Sequence, residues 1–273
     1  MMNVGMMKKM REMLVNWLEL YPASLKIIKS FNVRGVNLLI QVGNKHEIWR
    51  WKDMAAGTKE PGTIDWIDSE MKPGDVFIDI GACVGNYTIY AALRHRGLKV
   101  IAFEPEPNSF IELIKNVRLN EIDVTCFLIP ISDRYRVDFL NCNPIYCRDD
   151  NYDLGHSAFI AGESNHQFGS CINSEGIEFK PSASVGMCGA SLDIMVQAGI
   201  IPPPDYVKID VDGAEKQVVQ GMYHILQSGY VKSILCEINS DIIKTEICRK
   251  LEPMGFRIVK VPPLGIGNYI FNR

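Results

Sequence analysis

Asp79, Glu104, Ser132, Asp133, Asp210, Asp212, Glu237 and Asn239 each stand at or just past the end of a short apolar run. In an open parallel sheet such positions converge on one edge, the edge where these sheets bind ligands. The most telling stretch is Asp75-Val76-Phe77-Ile78-Asp79-Ile80-Gly81-Ala82-Cys83-Val84-Gly85-Asn86-Tyr87-Thr88. It reads as a buried strand that ends in an acid, turns through Gly81 and Gly85 and opens a helix. Glu104 closes the next apolar run, Val100-Ile101-Ala102-Phe103. Strand, glycine turn, helix, strand, acid is an arrangement for holding a nucleoside by its ribose. Glycine lets a ligand approach the backbone closely. An ionised carboxylate only accepts hydrogen bonds, so one acid can take both ribose hydroxyls.

The elements that must carry these residues follow from apolar periodicity. Strands are predicted at 76–80, 100–103 and 124–129, with helices at 87–93 and 108–119 between them; Pro107 suits the first turn of the second helix. The rhythm lapses over 141–190, which is rich in Asn, Ser, Gly and Cys, as a substrate lid would be. It resumes with Ser191 capping a helix at 192–197, a strand at 206–209, a helix at 213–226, a strand at 233–236 and a helix at 242–251. Segments 256–259 and 269–271 close the chain as an antiparallel pair. Strands alternating with helices predict a mostly parallel sheet covered on both faces.

Ahead of this block, residues 1–70 read as an N-terminal extension, with 71–273 as the main domain and 141–190 as a lid inserted in it. Leu14, Trp17, Leu18 and Tyr21 fall at helical spacing. Segments 36–42 and 47–51 flank Gly43-Asn44-Lys45, which predicts a hairpin turning there.

Composition narrows the function classes. Hydrophobic residues make up 47% of the 273 and charged residues 22%, so the chain is an ordinary globular one. A net charge of -3 gives no basic excess and argues against nucleic acid as a partner. The 8 cysteines include no C-x-x-C pair and follow no secretory leader pattern, which points to reduced thiols in a cytoplasmic protein. Their spacings, with the histidines, fit no standard zinc pattern. No apolar run reaches the length of a transmembrane segment.

Four phrases together resemble one family: Gly74 to Ala82, Phe103-Glu104-Pro105-Glu106-Pro107, Ser191-Leu192-Asp193, and Val207-Lys208-Ile209-Asp210-Val211-Asp212-Gly213-Ala214-Glu215. They look like the FkbM family of class I S-adenosylmethionine-dependent methyltransferases, over roughly residues 60–240. The resemblance implies an α/β, Rossmann-like class I methyltransferase sheet, mostly parallel with an antiparallel last strand and helices on both faces. It also implies methylation of hydroxyls on sugars, lipids or polyketides. Two positions depart from the family pattern: Cys83 stands where asparagine is usual, and Asp212 where glutamate is more frequent.

The resemblance assigns candidate roles, each with a plainer reading beside it. Asp79 would orient the glycine loop and the cofactor's amino group, or simply cap the helix. Gly81 and Gly85 would let the methionine part approach, or serve turn geometry alone. Asn86 caps the following helix or faces ligand. Glu104 takes the ribose. Ser132 and Asp133 face the adenine edge, or bond to nearby backbone in a turn. Asp210 sits where methyl transfer should occur. Lys208, in a buried strand, should pair with a carboxylate at a strand end. Asp212 and Glu215 are equally well read as first-turn acids favoured by the helix dipole.

The general base stays open among Asp212, Glu237 and His156, the last followed in the same lid by His166. Asp210, Glu237 and Asn239 resemble the oxygen ligands of magnesium-dependent methyltransferases, but no motif fixes a metal and none is expected. The expected acceptor is a small molecule or glycan, and a homodimer is compatible with the sequence. Rival readings are a methyltransferase acting on protein or another nucleophile, a non-catalytic protein retaining the fold, and a nicotinamide oxidoreductase. The last would need G-x-G-x-x-G, which the loop lacks.

Overall fold

A computed structural model describes residues 27–42, 45–142, 166–173, 176–262 and 266–273. At its centre is a seven-stranded sheet. In chain order its strands are β3 (Val76–Ile80), β4 (Lys99–Phe103), β5 (Val124–Phe127), β9 (Tyr206–Ile209), β10 (Ser233–Ile238), β11 (Arg257–Lys260) and β12 (Gly267–Asn272). They lie in the order β11-β12-β10-β9-β3-β4-β5. The pairs from β10 to β5 are parallel; β12 runs antiparallel to β10 and to β11. The predicted parallel sheet with an antiparallel end is therefore observed.

The central strands are apolar on both faces because both faces are covered. Side chains alternate across a strand. Phe77, Val100, Ala102, Tyr206 and Leu235 enter one core, while Val76, Ile78, Ile80, Ile101, Phe103, Val207 and Ile209 enter the other. The first core is roofed by α3 (Asn86–Arg94) and α4 (Pro107–Leu119), the second by α5 (Leu192–Gln197), α6 (Glu215–Gln220), α7 (Tyr223–Gln227) and α8 (Asp241–Leu251). Ser191 caps α5 through Ile194 N, as expected.

The predicted 213–226 helix is two helices, broken at Gly221. A Cβ there would meet the Ser132 carbonyl oxygen and the Ser191 side chain, so the chain bends where the backbones touch. The N-terminal hairpin also needs correction. β1 (Ile27–Val33) pairs with β2 (Val36–Val42), and the segment read as the second strand is instead helix α1 (Lys45–Ala55). The turn is Arg34-Gly35, whose φ values of 47° and 85° are those of a tight two-residue hairpin turn. Asn32 Oδ1 accepts from Gly35 N at 3.1 Å and supports it. Read at helical spacing, Ile48, Trp51 and Met54 share one face; Trp51 and Met54 are buried, and Trp51 stacks on Phe31 at 6.3 Å.

Helix α2 (Pro61–Glu70) follows, started by Pro61 at its first position. Its Trp66 packs edge-on against Phe77 and Tyr206, and Trp66 Nε1 donates to Ser233 Oγ at 2.8 Å. The hairpin, α1 and α2 thus share the first core with the sheet. A second, three-stranded antiparallel sheet joins β6 (Arg136–Cys142), β7 (Gln167–Phe168) and β8 (Ala183–Gly189), in the order β7-β6-β8. The ends of the irregular 141–190 region are therefore paired strands. The predicted helix around Leu14 to Tyr21 lies outside the described residues.

Candidate active site

A cleft of about 270 Å³ opens beyond the carboxyl ends of β3, β4, β9 and β10. Gly81, Glu104, Asp210, Asp212 and Glu237 all line it, delivered by the ends of four strands, with Asp210 and Asp212 both following β9. Arg50, Lys59, Glu60, Glu106 and His166 complete much of the rim. The lining is dominated by carboxylates, a field suited to a cationic ligand.

Gly81 has φ +79°, and a Cβ on it would overlap the Asp210 carbonyl oxygen. Only glycine fits where the two strand ends converge. Its N–H donates to the Phe103 carbonyl at 3.0 Å, tying the loop to β4. Glu104 is buried, with Oε2 accepting from Cys83 N at 2.8 Å and Oε1 from Glu106 N at 2.7 Å. Burial pushes its carboxyl up to about 8, against the pull of those two donors.

The next feature is a chain of charges running inward. Lys208, 1% exposed, places Nζ 2.9 Å from Asp210 Oδ2 and 3.4 Å from Asp79 Oδ1. Burial opposes its charge, but Asp210, Asp79 and Glu60 outweigh that and hold the ammonium above its ordinary range. This is the pairing expected for Lys208. Asp210 is also hydrogen-bonded to Glu237; burial opposes its ionisation, yet Lys208 and that bond hold it below the usual carboxylate range. Burial and the neighbouring Asp210 charge push Glu237 the other way, up to about 8. The two carboxyls divide their roles, one ionised and one carrying the shared proton. On the rim, Lys59 pairs with Glu60 at 2.9 Å.

Other sequence candidates lie elsewhere. Asp79 is fully buried and away from the cleft lining; its Oδ2 accepts from Thr88 Oγ1 at 2.6 Å. Gly85, at φ +94°, is itself the residue before α3, and a Cβ there would press on Leu113 and Ile89, so packing demands this glycine. Asn86 makes no side-chain cap, contrary to expectation; its Nδ2 points to Met54 Sδ at 3.8 Å. Ser132 and Asp133 also miss the cleft. Ser132 Oγ donates to Asp133 Oδ1 at 3.1 Å, and Ser132 lines a neighbouring cavity with Arg136 and Gln167.

Glu215 accepts from Gly213 N at 2.9 Å inside its own turn. Asp212, at φ +52°, faces the cleft and its carbonyl accepts from Gln167 Nε2 at 2.7 Å, which ties β7 to the site. Asn239 is off the lining and His156 lies outside the described residues, whereas His166 is on the rim. Sequence reasoning missed Arg50, Lys59 and Glu60. Pro61 after Glu60 was the available signal for a helix start there; Arg50 had none once its segment was read as a strand.

S-adenosylmethionine carries a sulfonium, an ammonium and one carboxylate on an adenosine. The acid-rich lining, the exclusion of a Cβ at Gly81 and the inward-facing Glu104 fit it. The cleft also continues through Gly81, Pro105, His166 and Val211 into an apolar slot beside Phe103, Ile129 and Ile131. Asp210 holds the Lys208 ammonium, and among the described residues no three His, Cys, Asp or Glu side chains gather as a cation site. Among the described residues, no helix is long and apolar enough to cross a membrane.

Comparison with known proteins places this geometry in context. Residues 79–258 match the family model described as the methyltransferase FkbM domain. The chain is 26% identical over 237 residues to the hexuronic acid methyltransferase AglP of Haloferax volcanii, covering 86% of this chain and 84% of that protein. It is 47% identical over 47 residues to the 31-O-demethyl-FK506 methyltransferase FkbM of Streptomyces tacrolimicus, which is 17% of this chain and 18% of that one. A crystal structure of methyltransferase FkbM from Methylobacillus flagellatus superposes with a TM-score of 0.46 at 11% identity, over 85% of this chain and 56% of that one.

Proposed function

The chain belongs to the FkbM methyltransferase family, and on that premise we propose that it transfers a methyl group from S-adenosylmethionine to a hydroxyl of a sugar, glycolipid or polyketide-type acceptor. The relative aligned over most of both chains is named for a hexuronic acid, which favours a sugar. The observation that carries the reading is the Asp210–Glu237 pair at the centre of the acid-lined cleft. An alcohol is a poor nucleophile at neutral pH, and a positioned base adds on the order of 10²–10⁴ in rate.

The cofactor, when bound, supplies an activated methyl on its sulfonium. The remaining work falls to the chain. Ionised Glu104 would accept the ribose hydroxyls on the lone pairs that Cys83 N and Glu106 N leave free. The Gly81 backbone would lie against the ligand. Phe103, Ile129 and Ile131 would exclude water from the adenine. Asp210, fixed by Lys208, would hold Glu237 in place, and ionised Glu237 would take the hydroxyl proton. Holding nucleophile and methyl group at attack distance can supply roughly 7–11 kcal/mol.

The test is transfer of a labelled methyl group from S-adenosylmethionine to a panel of free sugars, uronic-acid glycans, glycolipids and polyketide alcohols, read by mass spectrometry. A single methyl increment on one hydroxyl class is expected. Cofactor binding with no transfer to any hydroxyl, or transfer only to protein, would overturn the reading.

A further inference from the structure

Arg50 stands out among the cleft residues. It projects from α1, a helix pinned by the buried Trp51 and Met54 that follow it in sequence. Its Nη1 donates to Cys83 Sγ at 3.8 Å, at the glycine loop. Among the described residues the guanidinium forms no ion pair, although Glu60, Glu104, Glu106, Asp210, Asp212 and Glu237 share the lining with it. The other cation there, Lys59, is held by Glu60. A guanidinium offers five donors in a planar fork matched to a carboxylate, and one weak bond to sulfur leaves that fork largely unused.

The lining has an order. Cys83 N donates to Glu104 Oε2, so Arg50, Cys83 and Glu104 follow one another along one wall. Glu104 is the residue suited to a ribose. Arg50 meets the Cys83 side chain, while Glu104 meets the Cys83 backbone nitrogen. A nucleoside cofactor with an amino-acid tail has one anionic group, the α-carboxylate at the far end from the adenosine. Lining acids repel that group, so a cation must offset them if the tail is to enter. Asp79, expected to serve the tail, is sealed behind Thr88 and Lys208.

We propose that Arg50 binds the α-carboxylate of the cofactor's methionine tail through the guanidinium fork, with the N-terminal helix α1 thereby completing the cofactor site. The inference rests on the cofactor reading given above and adds a residue to it.

The test is calorimetric titration of the full-length wild type, Arg50→Gln and Arg50→Lys with S-adenosylhomocysteine and with its decarboxylated analogue, which keeps the amine. Arg50→Gln should weaken S-adenosylhomocysteine on the order of 10–100-fold and leave the decarboxylated analogue near its wild-type affinity. Arg50→Lys should recover part of the loss, since charge remains but the fork does not. Equal weakening of both ligands, or none of either, overturns the assignment. A wild type that binds neither ligand overturns the cofactor reading itself, so the two failures are distinct.

Discussion

Asp210 accepts from Lys208 Nζ at 2.9 Å and is hydrogen-bonded to the carboxyl of Glu237, so one carboxylate links a buried ammonium to a protonated acid. The ammonium lies behind the cleft and the acid faces it. Each neighbour favours the ionised form of Asp210, and the charge on Asp210 in turn raises Glu237.

Glu237 should therefore set the pH dependence. Its folded value near 8 lies above the ordinary carboxyl value of 4.5. If it is the base, turnover rises with pH and reaches half its plateau near 8; Glu237→Gln lowers kcat on the order of 10²–10⁴ and flattens the profile, with cofactor affinity retained. Stability runs the other way. A carboxyl raised on folding keeps its proton while the unfolded chain loses it, so its contribution is full below about 4.5 and is lost as pH rises through 8. Wild-type Tm should fall between pH 5 and 8.5 by more than that of Glu237→Gln, a difference that thermal melts across this range would measure.

Lys208→Met should be strongly destabilising. It leaves Asp79 buried with no cation beside it, and breaking a buried pair costs about 3–5 kcal/mol. The double variant Lys208→Met with Asp79→Asn should recover part of the loss. Urea denaturation of both variants measures it; a double variant no more stable than the single one would deny the pairing its role.

Gly81→Ala and Gly85→Ala separate ligand approach from packing. Both glycines have positive φ, so alanine costs roughly 1–2 kcal/mol of stability at either. Gly81→Ala also drives a methyl into the Asp210 carbonyl at the cleft, and should weaken S-adenosylhomocysteine at least tenfold. Gly85→Ala presses on Leu113 and Ile89 instead and should lower Tm while leaving the affinity of the folded protein within a few-fold of wild type. Melts and calorimetry on both variants decide the point.

Glu104→Gln keeps the size of the side chain but turns one of its acceptors into a donor. That amide nitrogen faces either Cys83 N or Glu106 N, both donors themselves. A loss of about 1–3 kcal/mol in cofactor binding is expected, roughly 5–150-fold. Unchanged affinity for S-adenosylhomocysteine would move the ribose away from this residue.

Much of the fold was legible because two periodicities are local. Apolar runs of strand length alternating with helical stripes predicted β3, β4, β9 and β10, and an acid or glycine at the end of a run marked the cleft edge. Glu104, Asp210, Asp212 and Glu237 converge for that reason. The hairpin was misread because Gly43-Asn44 and Arg34-Gly35 are both plausible turns, and a one-dimensional pattern does not say which neighbours will be buried. Burial of Trp51 and Met54 against the sheet selected the helix, and with it the position of Arg50.

The residue order of this chain settled which elements form and which strand ends carry acids, because propensity and period-2 or period-3.6 patterning act over a few neighbours. Which acid faces solvent and which is sealed in, as with Glu237 and Asp79, was decided only by the assembled sheet. So was the presence of an arginine from α1 beside the loop at Cys83. Those outcomes depend on charges and side chains far apart along the chain that meet only when the low-dielectric core has closed around them.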